Sequence, residues 1–382
     1  MATTAPKIAE QEHQEESDVV DRKAADLAER IRRSKHFIVF TGAGVSTSAG
    51  IADFRGPEGV WTLMAQGRES SIRSIDTVQA LPTPAHMALV ELQDRGMMKY
   101  LVSQNCDGLH RKSGISPDRI SELHGNSNRE YCKECGKEYI RDFRAVAPDH
   151  NHVNDHRTGR KCALCKGVLL DSIINFGEYL PETPLKEARK HAKKADLCLV
   201  LGSSLRVPPA CEIPETVGRS KTAALVICNL QNTPMDELAD VRIHAKADDL
   251  MERVMRKLEC PIPTFVLRRR LVVAGSLDAG GRLQVKVSGV DVDGTPMSFL
   301  RSVRCTNNRR LVRSEPFIIH FRGASDPSED IKLDLEFMGH YGEPNLGITY
   351  RYEGEDRKET VYDLEYNPMS RTWVINVNNL AG

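Results

Sequence analysis

Phe37-Ile38-Val39-Phe40-Thr41-Gly42-Ala43-Gly44-Val45-Ser46, running on through Thr47-Ser48-Ala49-Gly50-Ile51-Ala52-Asp53-Phe54-Arg55-Gly56, is the stretch on which the fold turns. Four apolar residues end abruptly in small ones, the pattern of a buried parallel strand that turns toward a helix and leaves backbone N–H groups free for a phosphate. The glycines alone are weakly specific. Their spacing is Gly-x-Gly followed by Gly50, not Gly-x-Gly-x-x-Gly, and no acidic residue ends an obvious second strand about twenty positions on. A dinucleotide bound here is held by a variant of the Rossmann scheme.

Three further apolar runs end in the same way. Tyr100-Leu101-Val102-Ser103 stops at Gln104-Asn105-Cys106-Asp107, Leu197-Cys198-Leu199-Val200-Leu201 at Gly202-Ser203-Ser204, and Ala224-Leu225-Val226-Ile227-Cys228 at Asn229-Leu230-Gln231. Polar residues at the ends of parallel strands lie where α/β folds hold ligands. Together the four runs predict a doubly wound sheet with one polar rim. Val19, Val20, Ala24, Leu27, Ala28 and Ile31 recur at helical spacing before the first strand. Thr83-Pro84 is a good helix start, with Thr as N-cap and Pro in the first turn. Between these elements, Trp61 sits in a Gly-rich loop, and Gln66 to Thr77 reads either as a cover over the site or as an ordinary surface loop.

At 382 residues the chain is expected to form two or three domains. Lys plus Arg and Asp plus Glu are equal at 53 each, so no global field steers it toward nucleic acid or membrane. No apolar run approaches the roughly 18 residues of a spanning helix, and Met1 to Glu16 is polar and acidic, unlike a secretory signal. The expectation is a soluble intracellular protein. Beyond Cys260-Pro261-Ile262-Pro263 the pattern changes to period two, as in Leu283-Gln284-Val285-Lys286-Val287 and Ile331-Lys332-Leu333-Asp334-Leu335. Half-buried antiparallel strands in a separate sandwich or barrel follow from that alternation. Residues 266–382 carry 16 basic and 16 acidic side chains, so charge assigns this region no partner.

Cys132-Lys133-Glu134-Cys135 and Cys162-Ala163-Leu164-Cys165 are 26 residues apart. Each Cys-x-x-Cys aims two sulfurs at one point, and two such knuckles complete a closed tetrahedral, hence structural, zinc site. The alternatives are a redox pair or four unrelated thiols. His150, His152 and His156 are candidate extra ligands, read more simply as a solvated loop. Cys106, in the polar rim, is a candidate nucleophile with no base and orienter nearby in sequence; the plainer reading is a small buried hydrophobe, as for the remaining cysteines.

These residues, with Asp53-Phe54-Arg55-Gly56-Pro57, Gln104-Asn105-Cys106-Asp107-Gly108-Leu109-His110, Glu122-Leu123-His124-Gly125-Asn126, Phe176-Gly177-Glu178, Gly202-Ser203-Ser204 and Asn229-Leu230-Gln231, resemble the sirtuin motif set in sirtuin order, over about residues 20–258. Gly59-Val60-Trp61-Thr62 and the Asn-Leu-Gln run resemble the nuclear branch of sirtuins six and seven, and Lys246-Ala247-Asp248-Asp249 leans toward the seventh. The resemblance implies an NAD-dependent protein-lysine deacylase: nicotinamide leaves, the acyl oxygen of the modified lysine attacks the vacated ribose carbon, and ribose hydroxyl and water resolve the adduct to O-acyl-ADP-ribose. It implies His124 as catalytic base and Asn105 as the holder of ribose and water. NAD would be received by Gly42, Ala43, Gly44, Ser46, Asp53, Phe54, Arg55, Trp61, Gln104, Asn105 and Asp107. Gly202, Ser203, Ser204, Asn229, Leu230, Gln231 and Ala247 would complete its site, with zinc on Cys132, Cys135, Cys162 and Cys165.

The organisation expected from this resemblance is a disordered tail over 1–16 and a Rossmann-like catalytic domain over 17–258 with a zinc module at about 126–172. A linker over 259–265 and a β-sandwich-like domain over 266–382 would follow. Expected partners are an acylated-lysine protein, a histone or other chromatin protein, and by extension the nucleosome. A membrane is not among them, and the sequence does not decide direct nucleic-acid binding. The branch implies a nuclear location, with a cytoplasmic one as alternative. Two departures stand out. Many sirtuins carry two Phe before the Gly-Glu where this chain has Ile174-Asn175-Phe176-Gly177-Glu178, which makes one side of the acyl-lysine tunnel more polar. The C-terminal β region lies outside the resemblance. Mono-ADP-ribosyl transfer is the alternative enzyme reading, and a chromatin-binding scaffold or NAD-responsive reader the non-enzymatic one.

Overall fold

The computed structural model describes residues 10–148, 152, 154–321, 330–354 and 359–379. The chain divides into two compact units. The first takes the chain up to Ser127, residues 149–156 and Ser172–Phe265; the second takes Asn128–Pro148, Arg157–Asp171 and the chain from Val266 onward.

The first unit is built on a six-stranded parallel sheet ordered Val241–Ile243, Ala224–Cys228, Leu197–Leu201, Phe37–Thr41, Met98–Ser103, Ile120–Glu122. The strand read first from the sequence is central, and all five of its residues are buried. It is apolar throughout because both of its faces are covered. Phe37 and Val39 enter one core with the helices Ser17–Arg33, Pro84–Asp94 and Ala247–Lys257. Ile38 and Phe40 enter the other, with Glu182–Lys194 and Glu212–Gly218. From Phe37–Thr41 the chain first fills one side of the sheet and then returns to the other at Leu197–Leu201. That reversal is a topological switch point, where strand-end crevices hold ligands. Thr83 caps its helix as the sequence predicts, in a reciprocal box with His86 and with Pro84 in the first turn.

Residues 10–16, assigned to the tail from composition, lie against the first unit: the His13 and Glu15 N–H groups donate to Leu230 O and His244 O, each at 2.9 Å. The rest of that tail lies outside the described residues. The segment 259–265, expected as a linker, buries Cys260 and Phe265, with Cys260 in the first core.

In the second unit each Cys-x-x-Cys forms a turn between two short strands, the first between Arg129–Cys132 and Glu138–Arg141 and the second between Arg157–Lys161 and Val168–Asp171. Two antiparallel sheets follow. One is ordered Phe317–His320, Leu283–Val290, Leu267–Leu277, Glu359–Asn367, Thr372–Asn379, and the other Arg310–Val312, Leu300–Cys305, Asp330–Phe337, Leu346–Arg351. Alternate residues of both share one core, which is the sandwich that period-two patterning predicts.

The zinc module groups with this sandwich and not with the parallel sheet, unlike the boundary drawn from the sequence. Met297–Ser298 adds as a parallel strand to Glu138–Arg141. Arg269 reaches Asp142 at 2.8 Å, with both side chains buried, and His340 Nε2 lies 2.7 Å from Asp142 O, to which it donates.

Candidate active site

The strand ends meet through glycine. Gly42 N–H donates to Leu201 O at 3.0 Å and Gly44 N–H to Gly202 O at 2.9 Å. A Cβ on Gly202, whose φ is +61°, would stand 2.6 Å from the Gly44 carbonyl carbon. The two loops touch backbone to backbone, which only glycine permits.

Beyond them opens a cavity of about 360 Å³. Gly42, Ala43 and Gly44 line it from the first strand end, Gln104 and Asn105 from the second, and Gly202, Ser203 and Ser204 from the third. Asn229 and Gln231 arrive from the fourth, and His124 from the turn after Ile120–Glu122. Asp53, Phe54, Arg55 and Trp61 form one wall. Trp61 packs on Phe54 with ring centroids 4.6 Å apart and on Phe176 at 5.4 Å. The Arg55 guanidinium lies 4.5 Å over the indole. It is a cation held at the cavity by stacking, and burial pushes its pKa down and that of Asp53 up.

His124 Nδ1 lies 3.0 Å from Gln104 O. A carbonyl only accepts, so Nδ1 carries the proton, and Nε2 of the neutral ring keeps its lone pair for a substrate. Burial holds the imidazole pKa below its ordinary value. The next residue must be glycine: a Cβ on Gly125, at φ +84°, would lie 1.8 Å from Ser172 O. Asn105 donates from Nδ2 to Gly42 O at 3.0 Å and from its N–H to Ser103 Oγ at 3.1 Å, leaving Oδ1 available as an acceptor. Ser203 Oγ donates to Gln104 Oε1 at 2.7 Å, tying two strand ends together.

Four expected nucleotide residues do not line this cavity. Ser46 and Asp107 are buried behind the glycine loop, where Ser46 Oγ donates to Asp107 Oδ2 at 2.6 Å and Leu109 N–H donates to Oδ1 at 2.9 Å. They brace the wall and do not line the cavity. Leu230 and Ala247 line an adjoining cavity of about 420 Å³, which shares Gly44, Asp53, Gly202, Asn229 and Gln231 with the first. Sequence reasoning did not single out Ile173, Pro208 and Pro209, apolar lining of this cavity. Single apolar residues in loops carry no signal of their own. The Cys106 thiol donates to His124 O at 3.1 Å, and burial pushes it up to about 12. A thiol so weakly acidic is no nucleophile.

The Sγ atoms of Cys132, Cys135, Cys162 and Cys165 lie within 4.8 Å of one another. Cys132 and Cys165 approach to 3.4 Å and Cys135 and Cys162 to 3.7 Å. Zinc–sulfur bonds of about 2.3 Å set tetrahedral sulfurs about 3.8 Å apart, so the four cysteines fit one zinc ion with no open position. The candidate extra ligands do not join them: His156 Nε2 pairs with Glu178 Oε1 at 2.8 Å, His152 is outside the cluster, and His150 lies outside the described residues. Among the described residues no helix is long and apolar enough to cross a membrane.

A sequence model of the Sir2 family matches residues 68–209. The chain is 37% identical over 334 residues to the NAD-dependent protein deacetylase SRT1 of Arabidopsis thaliana, covering 84% of this chain and 69% of that protein. It is 41% identical over 252 residues to the NAD-dependent protein deacetylase sirtuin-7 of Homo sapiens, covering 64% of this chain and 62% of the relative. A solved structure of a Sir2 histidine-to-alanine variant with deacetylated p53 peptide and 3′-O-acetyl ADP ribose matches with TM-score 0.50 at 30% identity, over 62% of this chain and 98% of that one.

Proposed function

Since the chain belongs to the Sir2 family, we propose that it is an NAD-dependent protein-lysine deacylase that consumes NAD as co-substrate. The observation that carries the reading is the His124 tautomer. A neutral imidazole with its free Nε2 shares one cavity with Asn105 and with the glycine strand ends.

NAD, when bound, supplies a ribose carbon open to attack and nicotinamide as the leaving group. Arg55 and the Ala43 N–H receive its phosphates, because the Gly42 and Gly44 N–H groups already donate to Leu201 O and Gly202 O. Asn105 Oδ1 orients a ribose hydroxyl or water. His124 Nε2 takes the hydroxyl proton, and Gln104 O steadies the imidazolium that forms. Trp61 and Phe176 exclude water beside the acyl-lysine. Leu180, Val207 and Pro208 give the acyl chain an apolar wall, and Asn175 a polar patch on it. The four cysteines hold zinc as a structural ion.

The substrates in this reading are acylated histones or other chromatin proteins in the nucleus, and the products are nicotinamide and O-acyl-ADP-ribose. Incubation with NAD and acetylated histone peptides, followed by peptide mass and nicotinamide release, tests it. NAD-dependent loss of acetyl is expected. Peptide gaining the mass of ADP-ribose while keeping its acetyl group would replace deacylation by mono-ADP-ribosyl transfer.

A further inference from the structure

Rossmann sheets commonly place a carboxylate against the adenosine ribose hydroxyls of NAD, where it also disfavours a 2′-phosphate. In this chain the strand end on that side is neutral: Asn229, Leu230 and Gln231. A carboxylate arrives from another direction. The segment 10–16 is tied down where Glu10 O accepts from Gln231 Nε2 at 2.8 Å, His13 N–H donates to Leu230 O at 2.9 Å, and Glu15 N–H donates to His244 O at 2.9 Å. Glu10 also pairs with Arg206.

Between the first two ties sits Glu12, on the wall of the cavity it shares with Asn229, Gln231, Lys246 and Ala247. The Glu12 side chain accepts no hydrogen bond from a described residue, and the nearby charges acting on it are Asp53 and Lys246. Partial burial and Asp53 raise its pKa, as for a carboxylate short of donors.

We infer that Glu12 is the carboxylate that reads the adenosine ribose in this chain and sets its preference for NAD over NADP. The inference rests on the proposal that this site takes NAD. Two carboxylate oxygens match two vicinal hydroxyl donors. A 2′-phosphate would instead bring negative charge against Glu12 and Asp53. Lys246, whose charge Glu12 now offsets, would become available to that phosphate once Glu12 is neutral.

Calorimetric titration of the full chain with ADP-ribose and with 2′-phospho-ADP-ribose, without peptide, tests this. Wild type should prefer ADP-ribose. Glu12→Gln should weaken ADP-ribose binding about tenfold, the effect of losing one charge-assisted hydrogen bond, and should erase the preference. Glu12→Lys should reverse it. Glu12 is exposed on a loop, so circular dichroism should find both variants folded. Variants that keep the wild-type preference overturn the inference, as does tighter ADP-ribose binding by Glu12→Gln, which would make the segment a competitor. Wild type that binds neither compound overturns the NAD reading beneath it.

Discussion

The Nδ1 atom of His124 sits 3.0 Å from the carbonyl oxygen of Gln104, so the ring is held in one tautomer with Nε2 toward the cavity. Burial lowers the His124 pKa below 6.5. A base acts in its neutral form, so the acid limb of the kcat/KM profile should lie below pH 6.5 and activity should be level above it. A limb centred at or above 6.5 would contradict this assignment. Replacement by Gln keeps the size but loses the base, and should lower kcat about 10²- to 10⁴-fold.

The cysteine cluster predicts one zinc per chain by metal analysis. Cys132→Ser should lose the metal and unfold Arg129–Cys132 and its partner strands, because a structural zinc site supplies much of the folding free energy of a small module. Among the described residues, four, Cys132, Tyr139, Cys162 and Leu169, form the buried apolar cluster there. Limited proteolysis should cut first within residues 128–171. Full protection of metal-free protein would refute the structural role.

Asp142 and Arg269 form an ion pair with 7% and 5% of their side-chain surfaces exposed. Asp142→Ala would leave a buried guanidinium without its carboxylate, a change that costs about 3–5 kcal/mol. Replacing both residues with apolar ones should recover most of that loss. Denaturant titration of the two variants distinguishes a buried pair, with this asymmetry, from a solvated one, where each single change costs under about 1 kcal/mol.

His86 and His110 are fully buried below the site, with ring centroids 4.6 Å apart, and burial brings both pKa values down to about 3. In the unfolded chain each titrates near 6.5. Between these values the unfolded state binds more protons, so stability is full above about pH 6.5 and falls as pH drops toward 3. Each histidine contributes a slope approaching about 1.4 kcal/mol per pH unit. Denaturation midpoints at pH 7.5, 6 and 5 read this slope, and His86→Phe should flatten it. A midpoint independent of pH would contradict neutral burial.

Legibility in the sequence followed the range of the interactions. Phe37–Thr41 and Leu197–Leu201 read as buried parallel strands because two covered faces leave no room for polar alternation. The β region announced itself through the opposite pattern, and Cys-x-x-Cys carries its own local geometry. Ser46 and Asp107 lie behind the cavity wall, a position that motif spacing alone does not distinguish from its front. Arg269 and Asp142, 127 residues apart, leave no local trace of their pairing. The sequence therefore places the zinc module beside the parallel sheet, while its strands group with the sandwich. Residues 10–16 have the composition of a disordered tail, yet backbone groups, the Gln231 amide and the ion pairs Glu10–Arg206 and Glu15–Lys23 anchor them, which composition does not reveal.

The most direct test of the account is stoichiometry. Purified full-length protein is mixed with an acetyl-lysine histone peptide and NAD, and nicotinamide and deacetylated peptide are quantified together over time. The account predicts one nicotinamide per acetyl group removed, no reaction without NAD, and loss of peptide deacetylation in His124→Ala. Deacetylation without NAD, nicotinamide release with the peptide unchanged, or wild-type turnover by His124→Ala would contradict it.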